Sequence, residues 1–231
     1  MAEVVINERG MTMADVLAIA RDGATVRLSD SAVAAMAASR SHIDALVASS
    51  SPVYGVSTGF GALANKYVSV EQRAQLQRSL IRSHAAGVGE PVEREVVRAL
   101  ITLRLKTLAS GRTGVRPVIA QTMAALLNAG ITPVVREFGS LGCSGDLAPL
   151  AHCALVLMGE GEAVGVDGVQ RPVPELLKAA GITAVELQEK EGLALINGTD
   201  GMLGMLILAI ADMEVRRYFS GGPFASPIHE V

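Results

Sequence analysis

The stretch "GSLGCSGDLAPLAH", residues 139–152, sets a glycine-rich turn directly before an apolar helix. Glycines on both sides of its Cys-Ser pair give this backbone a conformational freedom that other residues lack. Apolar spacing predicts a helix over 146–158, whose N-terminal end favours negative charge close to the turn. Four local structures begin in this way: a tight turn, an anion-binding loop, a turn that exposes a catalytic nucleophile, and a tripeptide that modifies itself.

The spacing excludes three common motifs. No lysine follows Gly145, as a phosphate-binding P-loop requires, and the glycines recur at the wrong interval for a dinucleotide-binding turn. A hydrolase nucleophile elbow has one residue between its serine and the next glycine, whereas Gly145 follows Ser144 directly. An ordinary capped turn stays open as an interpretation, with Ser144 or Asp146 as the helix N-cap.

Self-modification fits the order of the residues Cys143, Ser144 and Gly145. The amide nitrogen of Gly145 can attack the carbonyl carbon of Cys143 and close a five-membered ring, since glycine has no Cβ to block that approach. Loss of two water molecules, one of them carrying the Ser144 hydroxyl, leaves an exocyclic methylidene. The product is an electrophile made from the protein alone, and a neighbouring helix N-terminus would stabilise negative charge during attack on it.

Composition narrows the class of protein. Half of the 231 residues are apolar but only 3% are aromatic, which favours closely packed helices. The net charge of −3 and the absence of a basic stripe argue against nucleic-acid binding. Two cysteines fit a reducing cytoplasm, the N-terminus lacks a signal peptide, and the apolar run 202–211 is too short to span a membrane. We expect a cytoplasmic protein that does not bind membranes.

Periodicity and turn residues predict a mainly α fold with one small hairpin and ordered loops. Residues 1–215 form one domain in this interpretation, and residues 216–231 form an irregular tail. Asp167-Gly168 marks the hairpin turn, and Pro91 takes a first helical position. Helices are predicted, in chain order, at 11–21, 29–48, 71–84, 91–110, 117–128, 146–158, 174–180 and 192–215.

Three further segments strengthen the interpretation of the opening stretch: "VYGVSTGFGALAN" at 53–65, "LQRSLIRSHAAGVGEPV" at 76–92 and "LALINGTDGM" at 193–202. Together with residues 139–152 they resemble, in the same order, the active-site segments of the histidine and aromatic amino acid ammonia-lyases. The resemblance covers most of residues 10–212. It implies the N-terminal part of an ammonia-lyase-like helical bundle and a carbon-nitrogen lyase activity.

The resemblance also implies the cofactor and the catalytic base. Members of this family form a methylidene-imidazolone (MIO) group from Ala-Ser-Gly, so Cys143-Ser144-Gly145 would form it here, with no external cofactor and no metal. Tyr54 matches the family's tyrosine base, although an ordinary turn tyrosine is the alternative. Asp146 follows the tripeptide and either orients the ring, assists dehydration or caps the helix.

The resemblance implies that Ser83-His84 sets the substrate choice and that Asn197 lies near the MIO carbonyl and the substrate. Histidine-specific members carry Ser-His at the first position, so the expected reaction converts L-histidine to trans-urocanate and ammonia; tyrosine or phenylalanine is the alternative substrate. His84 would contact the imidazole of the substrate, or else only bind the last carbonyls of its helix. Asn197 would contact the amino acid group of the substrate, or else cap a helix start.

Family members are about twice as long as this chain and assemble as homotetramers. The substrate-carboxylate arginine and other site residues of their second half have no counterpart here. We therefore expect a truncated form with low or absent turnover, in which the ring can also stay unclosed. The alternative from another class is a non-catalytic helical fragment that binds partner chains through exposed apolar helix faces.

Overall fold

The structure, a computed structural model, describes residues 2–49, 52–140 and 146–219, with side chains as far as residue 215. It is mainly helical, which confirms the predicted fold class. The helices are α1 (Met13–Ala20), α2 (Asp30–Ala48), α3 (Val70–His84), α4 (Arg94–Ala109), α5 (Pro117–Asn128), α6 (Leu147–Leu157), α7 (Val173–Ala180), α8 (Glu191–Ile196) and α9 (Asp200–Phe219). The strands are β1 (Glu3–Ile6), β2 (Thr25–Leu28), β3 (Val88–Pro91), β4 (Thr132–Pro133), β5 (Arg136–Phe138), β6 (Glu162–Val164) and β7 (Gln170–Pro172).

Helix α4 lies at the centre of the packing. It contacts α1, α2, α5, α6 and α9, and its apolar residues are almost completely buried. Small residues let the axes approach closely: a Cβ on Gly204 of α9 would lie 3.1 Å from the Cβ of Ala99 on α4. The scarcity of aromatic residues in the sequence therefore matches a core built from closely spaced helices.

The described residues also form three small sheets. The hairpin predicted around Asp167-Gly168 is present as the antiparallel pair β6–β7, with Gly168 in the left-handed region at φ 77°, and β4 adds to its edge. Strand β1, which the sequence analysis did not predict, pairs in parallel with β2. Strands β3 and β5 form an antiparallel pair that carries the connection after α3.

Pro91 is not the first residue of a helix, as predicted, but the last residue of β3. It pairs with Arg136 of β5, and the amide of Val92 donates to the carbonyl of Val135 at 2.8 Å. These contacts keep the backbone extended, so α4 begins only at Arg94.

The predicted helix 192–215 is wrong in one respect, because it is two helices with a break at residues 197–199. Helix α9 also continues past 215 to Phe219, and the rest of the predicted tail, 220–231, lies outside the described residues. By length and hydropathy alone Glu191–Val215 is apolar enough to cross a membrane, with a mean hydropathy of 1.7. The break, and the packing of α9 against α4 and α1, are typical of a core helix instead.

A buried ion pair occupies the break between α8 and α9. Arg104 of α4 pairs with Asp200, the first residue of α9, and also donates to the carbonyl of Ala194 at 3.1 Å. Burial lowers the pKa of Arg104 and raises the pKa of Asp200, so each charge depends on the other to stay ionised. Gly198 passes so close to this pair that a Cβ there would overlap the guanidinium of Arg104 and the carboxylate of Asp200.

We predict that Gly198→Ala lowers the free energy of unfolding by about 3 kcal/mol, because the methyl group separates a buried ion pair. Urea denaturation followed by circular dichroism measures this change. Gly10→Ala is the matched control, since a Cβ on Gly10 meets nothing within 4 Å. A loss for Gly198→Ala no larger than for Gly10→Ala would contradict the packing described.

His152 joins α6 to the connection between α3 and β3. Its Nε2 accepts a hydrogen bond from the amide of Gly87 at 3.1 Å, which requires the imidazole to be unprotonated at that nitrogen. Burial lowers the pKa of His152 from its ordinary 6.5, and the nearby charge of Arg136 lowers it further. His152 therefore has a structural role in this fold, as the sequence suggests.

The depressed pKa of His152 makes stability depend on pH. Above about pH 6.5 both folded and unfolded chains keep the imidazole neutral; below it the unfolded chain takes up the proton first, so the free energy of unfolding falls. We predict that His152→Gln, whose amide oxygen can accept the same hydrogen bond, shows a smaller loss between pH 7 and pH 5. Denaturant titrations across this range test it, with exposed His42→Gln as control. Identical pH profiles for His152→Gln and the unsubstituted chain would rule out this linkage.

Candidate active site

The tripeptide Cys143, Ser144 and Gly145 lies outside the described residues, but both of its flanks are described. The hydroxyl of Ser140 donates to Oδ1 of Asp146 at 2.6 Å. This bond holds the two ends of the intervening segment together.

Of the predicted roles of Asp146, that of capping α6 with its side chain is wrong. It occupies the N-cap position of α6, yet its side chain makes no capping bond to that helix. Its Oδ2 instead accepts from the amides of Gly201 at 2.8 Å and Met202 at 3.1 Å, which are in the first turn of α9. A fully buried carboxylate is stabilised by such amides and by the positive end of the helix. Asp146 thus ties the end of the tripeptide segment to the start of α9.

The end of α3 lies beside the start of the same segment. A Cβ on Gly139 would lie 3.3 Å from the Cα of Gly87, so the two backbones touch without intervening side chains. Gly87 comes three residues after His84, and the bond from its amide to His152 fixes this approach. The structure therefore places Gly87, three residues after His84, against Gly139, which lies in the described flank before the tripeptide.

His84 is half-buried, and its Nδ1 lies 2.8 Å from the carbonyl of Leu80. A carbonyl only accepts hydrogen bonds, so Nδ1 carries the proton and Nε2 is left as an acceptor. Exposed Ser83 also donates to the carbonyl of Leu80, at 2.9 Å. The helix-end contact weighed in the sequence analysis is therefore present, and it orients the ring while leaving Nε2 for a ligand.

Tyr54 begins an ordered loop. The carbonyl of Val53 accepts three successive amides, from residues 56 to 58, and the amide of Val68 donates to Ser57. The Tyr54 ring packs edge-on against Phe60, with centroids 5.9 Å apart, and its hydroxyl accepts from the amide of Gly61 at 3.3 Å. The ring is 48% exposed. A side chain held in place but open to solvent is suited to act on a bound molecule.

The Tyr54 loop is fixed to α8. The amide of Lys190 donates to the carbonyl of Gly55 at 3.1 Å, and a Cβ on Gly55 would lie 3.2 Å from the side chain of Leu193. Gly55 has a left-handed φ of 72°, which glycine adopts without strain. Helix α8 therefore connects the loop of Tyr54 to the break that follows Ile196.

Asn197 ends α8 rather than starting a helix, so its interpretation as a helix-start cap is wrong. Its amide donates to the carbonyl of Leu193 at 3.2 Å, and its side chain is exposed. The next residue, Gly198, accepts from the amide of Asp146 at 2.9 Å. Asn197 is thus one residue from a backbone contact with the end of the tripeptide segment.

Other polar residues that support the site were not assigned this role from the sequence. Gln77 of α3 is fully buried, and its Oε1 accepts from the amide of Gly192 at 2.9 Å. Fully buried Glu191 accepts from Arg116 and from the amide of Gln188. The one sequence signal is their position: Gln77 lies inside the segment 76–92 that carries the resemblance, and Glu191 lies two residues before the segment 193–202. Arg104, expected to form a packing ion pair, does so with Asp200.

Cys153 is buried in the core, and burial raises the pKa of its thiol. It is therefore inert compared with the reactive chemistry expected at the tripeptide. The described part of the chain shows no group of three or more His, Cys, Asp or Glu residues placed to hold a metal ion.

Comparison with known proteins agrees with this arrangement. Residues 11–218 match the aromatic amino acid lyase family. The chain is similar to histidine ammonia-lyase of Streptomyces coelicolor, with 68% identity over 214 residues, covering 93% of the chain and 42% of that protein. It is also similar to histidine ammonia-lyase of Geobacillus thermodenitrificans, with 44% identity over 94% of the chain and 43% of that protein.

Two solved structures have the same fold. Tyrosine aminomutase from Streptomyces globisporus superimposes with a TM-score of 0.87 at 39% identity, covering 94% of this chain and 40% of that one. Histidine ammonia-lyase from Trypanosoma cruzi does so with a TM-score of 0.85 at 35% identity, covering 93% and 41%. The chain thus spans about two fifths of the length of the curated relatives named above. With a family match over residues 11–218, this chain belongs to the aromatic amino acid lyase family.

Proposed function

We propose that this chain is part of a histidine ammonia-lyase, which eliminates ammonia from L-histidine to give trans-urocanate. The observation that carries the proposal is the 68% identity to histidine ammonia-lyase of Streptomyces coelicolor across 93% of the chain. The proposal concerns the complete enzyme, because the chain spans only 42% of that relative. Ser83-His84, the pair that histidine-specific members carry by resemblance, supports histidine over tyrosine or phenylalanine as substrate.

The residues present fit an MIO group formed from Cys143, Ser144 and Gly145. Ring closure needs a sharply bent segment, and the bond between Ser140 and Asp146 brings the ends of that segment together. Gly139 beside Gly87 leaves no side chain between the two backbones. When formed, the group supplies an electrophile toward the amino acid substrate.

The other side chains have separable roles in this proposal. Tyr54, held by Phe60 and by the amide of Gly61, removes a β-proton from the substrate. His84 accepts a hydrogen bond at Nε2 from the imidazole N–H of the substrate, because its Nδ1 is engaged by Leu80. Asn197 contacts the amino acid group from the end of α8. Asp146 supports the site through backbone bonds and does not touch the substrate.

We further propose a cytoplasmic homotetramer. The exposed face of α9 supports association, since large apolar side chains on it are open to solvent: Leu203, Met205, Leu206, Met213 and Val215. A non-catalytic helical fragment that binds partner chains through this face is the competing proposal. Formation of urocanate from L-histidine by the complete enzyme decides between the two.

We predict that the complete enzyme has a mass two water molecules, about 36 Da, below the value for its unmodified sequence. Ser144→Ala restores the unmodified mass, because it removes the hydroxyl that leaves as water. Cys143→Ala is the matched control and keeps the loss, since that side chain stays outside the reacting atoms. Intact mass spectrometry reads all three; an unmodified mass for the unsubstituted enzyme would refute ring formation.

We predict that Tyr54→Phe lowers kcat for urocanate formation about 10²- to 10⁴-fold, as expected for loss of a positioned base. KM should change little, because the ring and its packing remain. Tyr67→Phe in the same loop is the matched control: its hydroxyl contacts Arg73, so activity should persist. Equal losses for both variants would assign Tyr54 a structural role only, and turnover of tyrosine but not histidine would sink the substrate proposal.

A further inference from the structure

A cavity lined by groups that could bind an anion lies between α4, the connection from α4 to α5, and α8. It has a volume of about 190 Å³. That volume corresponds to about six water molecules, which suits a small molecule and not a macromolecule. Its lining residues are mostly cationic or neutral and polar: Arg104, Thr107, Arg112, Thr113, Lys190, Leu193, Ala194 and Asn197.

The charge of this cavity is unbalanced. Asp200 neutralises Arg104, but neither Arg112 nor Lys190 forms an ion pair within the described residues. No carboxylate lines the cavity, whereas four other cavities of the described structure each include at least one Asp or Glu. Two unpaired positive charges at one concave surface attract anions.

Buried donors without partners provide an independent observation. Arg104 is only 2% exposed, and its Nε finds no hydrogen-bond partner among the described residues. The hydroxyl oxygen of Thr113, a half-buried residue on the same cavity wall, also has no hydrogen-bond partner among the described residues. Leaving a buried donor unpaired is costly, and a ligand oxygen is one way of satisfying it.

Lys190 lines this cavity, and its backbone has an unusual conformation. It has a left-handed φ of 74°, a backbone geometry that residues with a Cβ rarely adopt. Its amide meanwhile holds the carbonyl of Gly55 in the Tyr54 loop. Occupation of the cavity would therefore act on the residue that anchors this loop.

We propose that the cavity bounded by Arg104, Arg112, Thr113 and Lys190 binds a small oxyanion, either a carboxylate or phosphate. Guanidinium and ammonium groups bind both through charge-assisted hydrogen bonds. The inference rests on the charge, volume and unpaired donors of this cavity and not on formation of the MIO group; Asn197, which the proposed function assigns to the substrate, also lines the cavity.

Titration of the 231-residue chain, with amide chemical shifts recorded by NMR, tests the proposal. Separate titrations use sodium acetate and sodium phosphate at one ionic strength, balanced with sodium chloride. We expect saturable shifts at the amides of Thr113, Lys190 and Leu193 with one or both oxyanions. Saturation by acetate alone identifies a carboxylate site, and saturation by phosphate alone identifies a phosphate site.

Two variants and a matched control make the assignment specific. Arg112→Gln and Lys190→Gln should each weaken binding about tenfold or more, as loss of one charge-assisted hydrogen bond predicts. Gln keeps a Cβ at position 190, so the backbone demand is unchanged. Lys178→Gln, on the exposed face of α7, should leave affinity unaltered. Absence of saturation with both oxyanions, or equal affinity in all three variants, would overturn the proposal.

Discussion

The buried carboxylate of Asp146 is the contact on which the arrangement of the site depends. Removing a charged group from water is expensive unless several donors replace the lost hydration. Asp146 receives them from three directions: the hydroxyl of Ser140 and the amides of Gly201 and Met202. Its own amide donates to Gly198. One residue thereby fixes the tripeptide segment, the break after α8 and the start of α9 relative to one another.

Buried arginines likewise bind several acceptors at once in the core. Arg98 of α4 donates to the carbonyls of Ile19 and Leu127, at the ends of α1 and α5, and burial lowers its pKa to about 10. Arg104 in a similar way binds the carbonyl of Ala194 and the carboxylate of Asp200, on the two sides of the break before α9. Helix ends leave carbonyls unsatisfied, and a guanidinium with five N–H groups can meet several of them at once. The helices that position the site are therefore held together by polar contacts as well as by apolar packing.

The sequence predicted most helices because apolar periodicity is a local property. It predicted α3 and α5 within a residue of their observed bounds, and Asp167-Gly168 marked the hairpin. The errors occur where a distant partner decides the local conformation. Pro91 stays extended because residues 135 and 136 pair with its strand, and the helix predicted at 192–215 breaks because Arg104 and Asp146 occupy the space around Gly198.

By itself the sequence determined the helical class, which follows from composition and apolar period, and the order Cys-Ser-Gly that permits ring closure. The resemblance implied the active-site segments and the roles of their residues. Only the tertiary structure decided that Asp146 caps α9 instead of α6, that His84 keeps Nε2 available, and that Lys190 holds the Tyr54 loop. Each of these depends on a hydrogen bond between residues far apart in the chain or on the orientation of a ring. The order of residues alone does not specify these hydrogen bonds, because several chemically equivalent partners are available in the chain. Packing determines which of them is used.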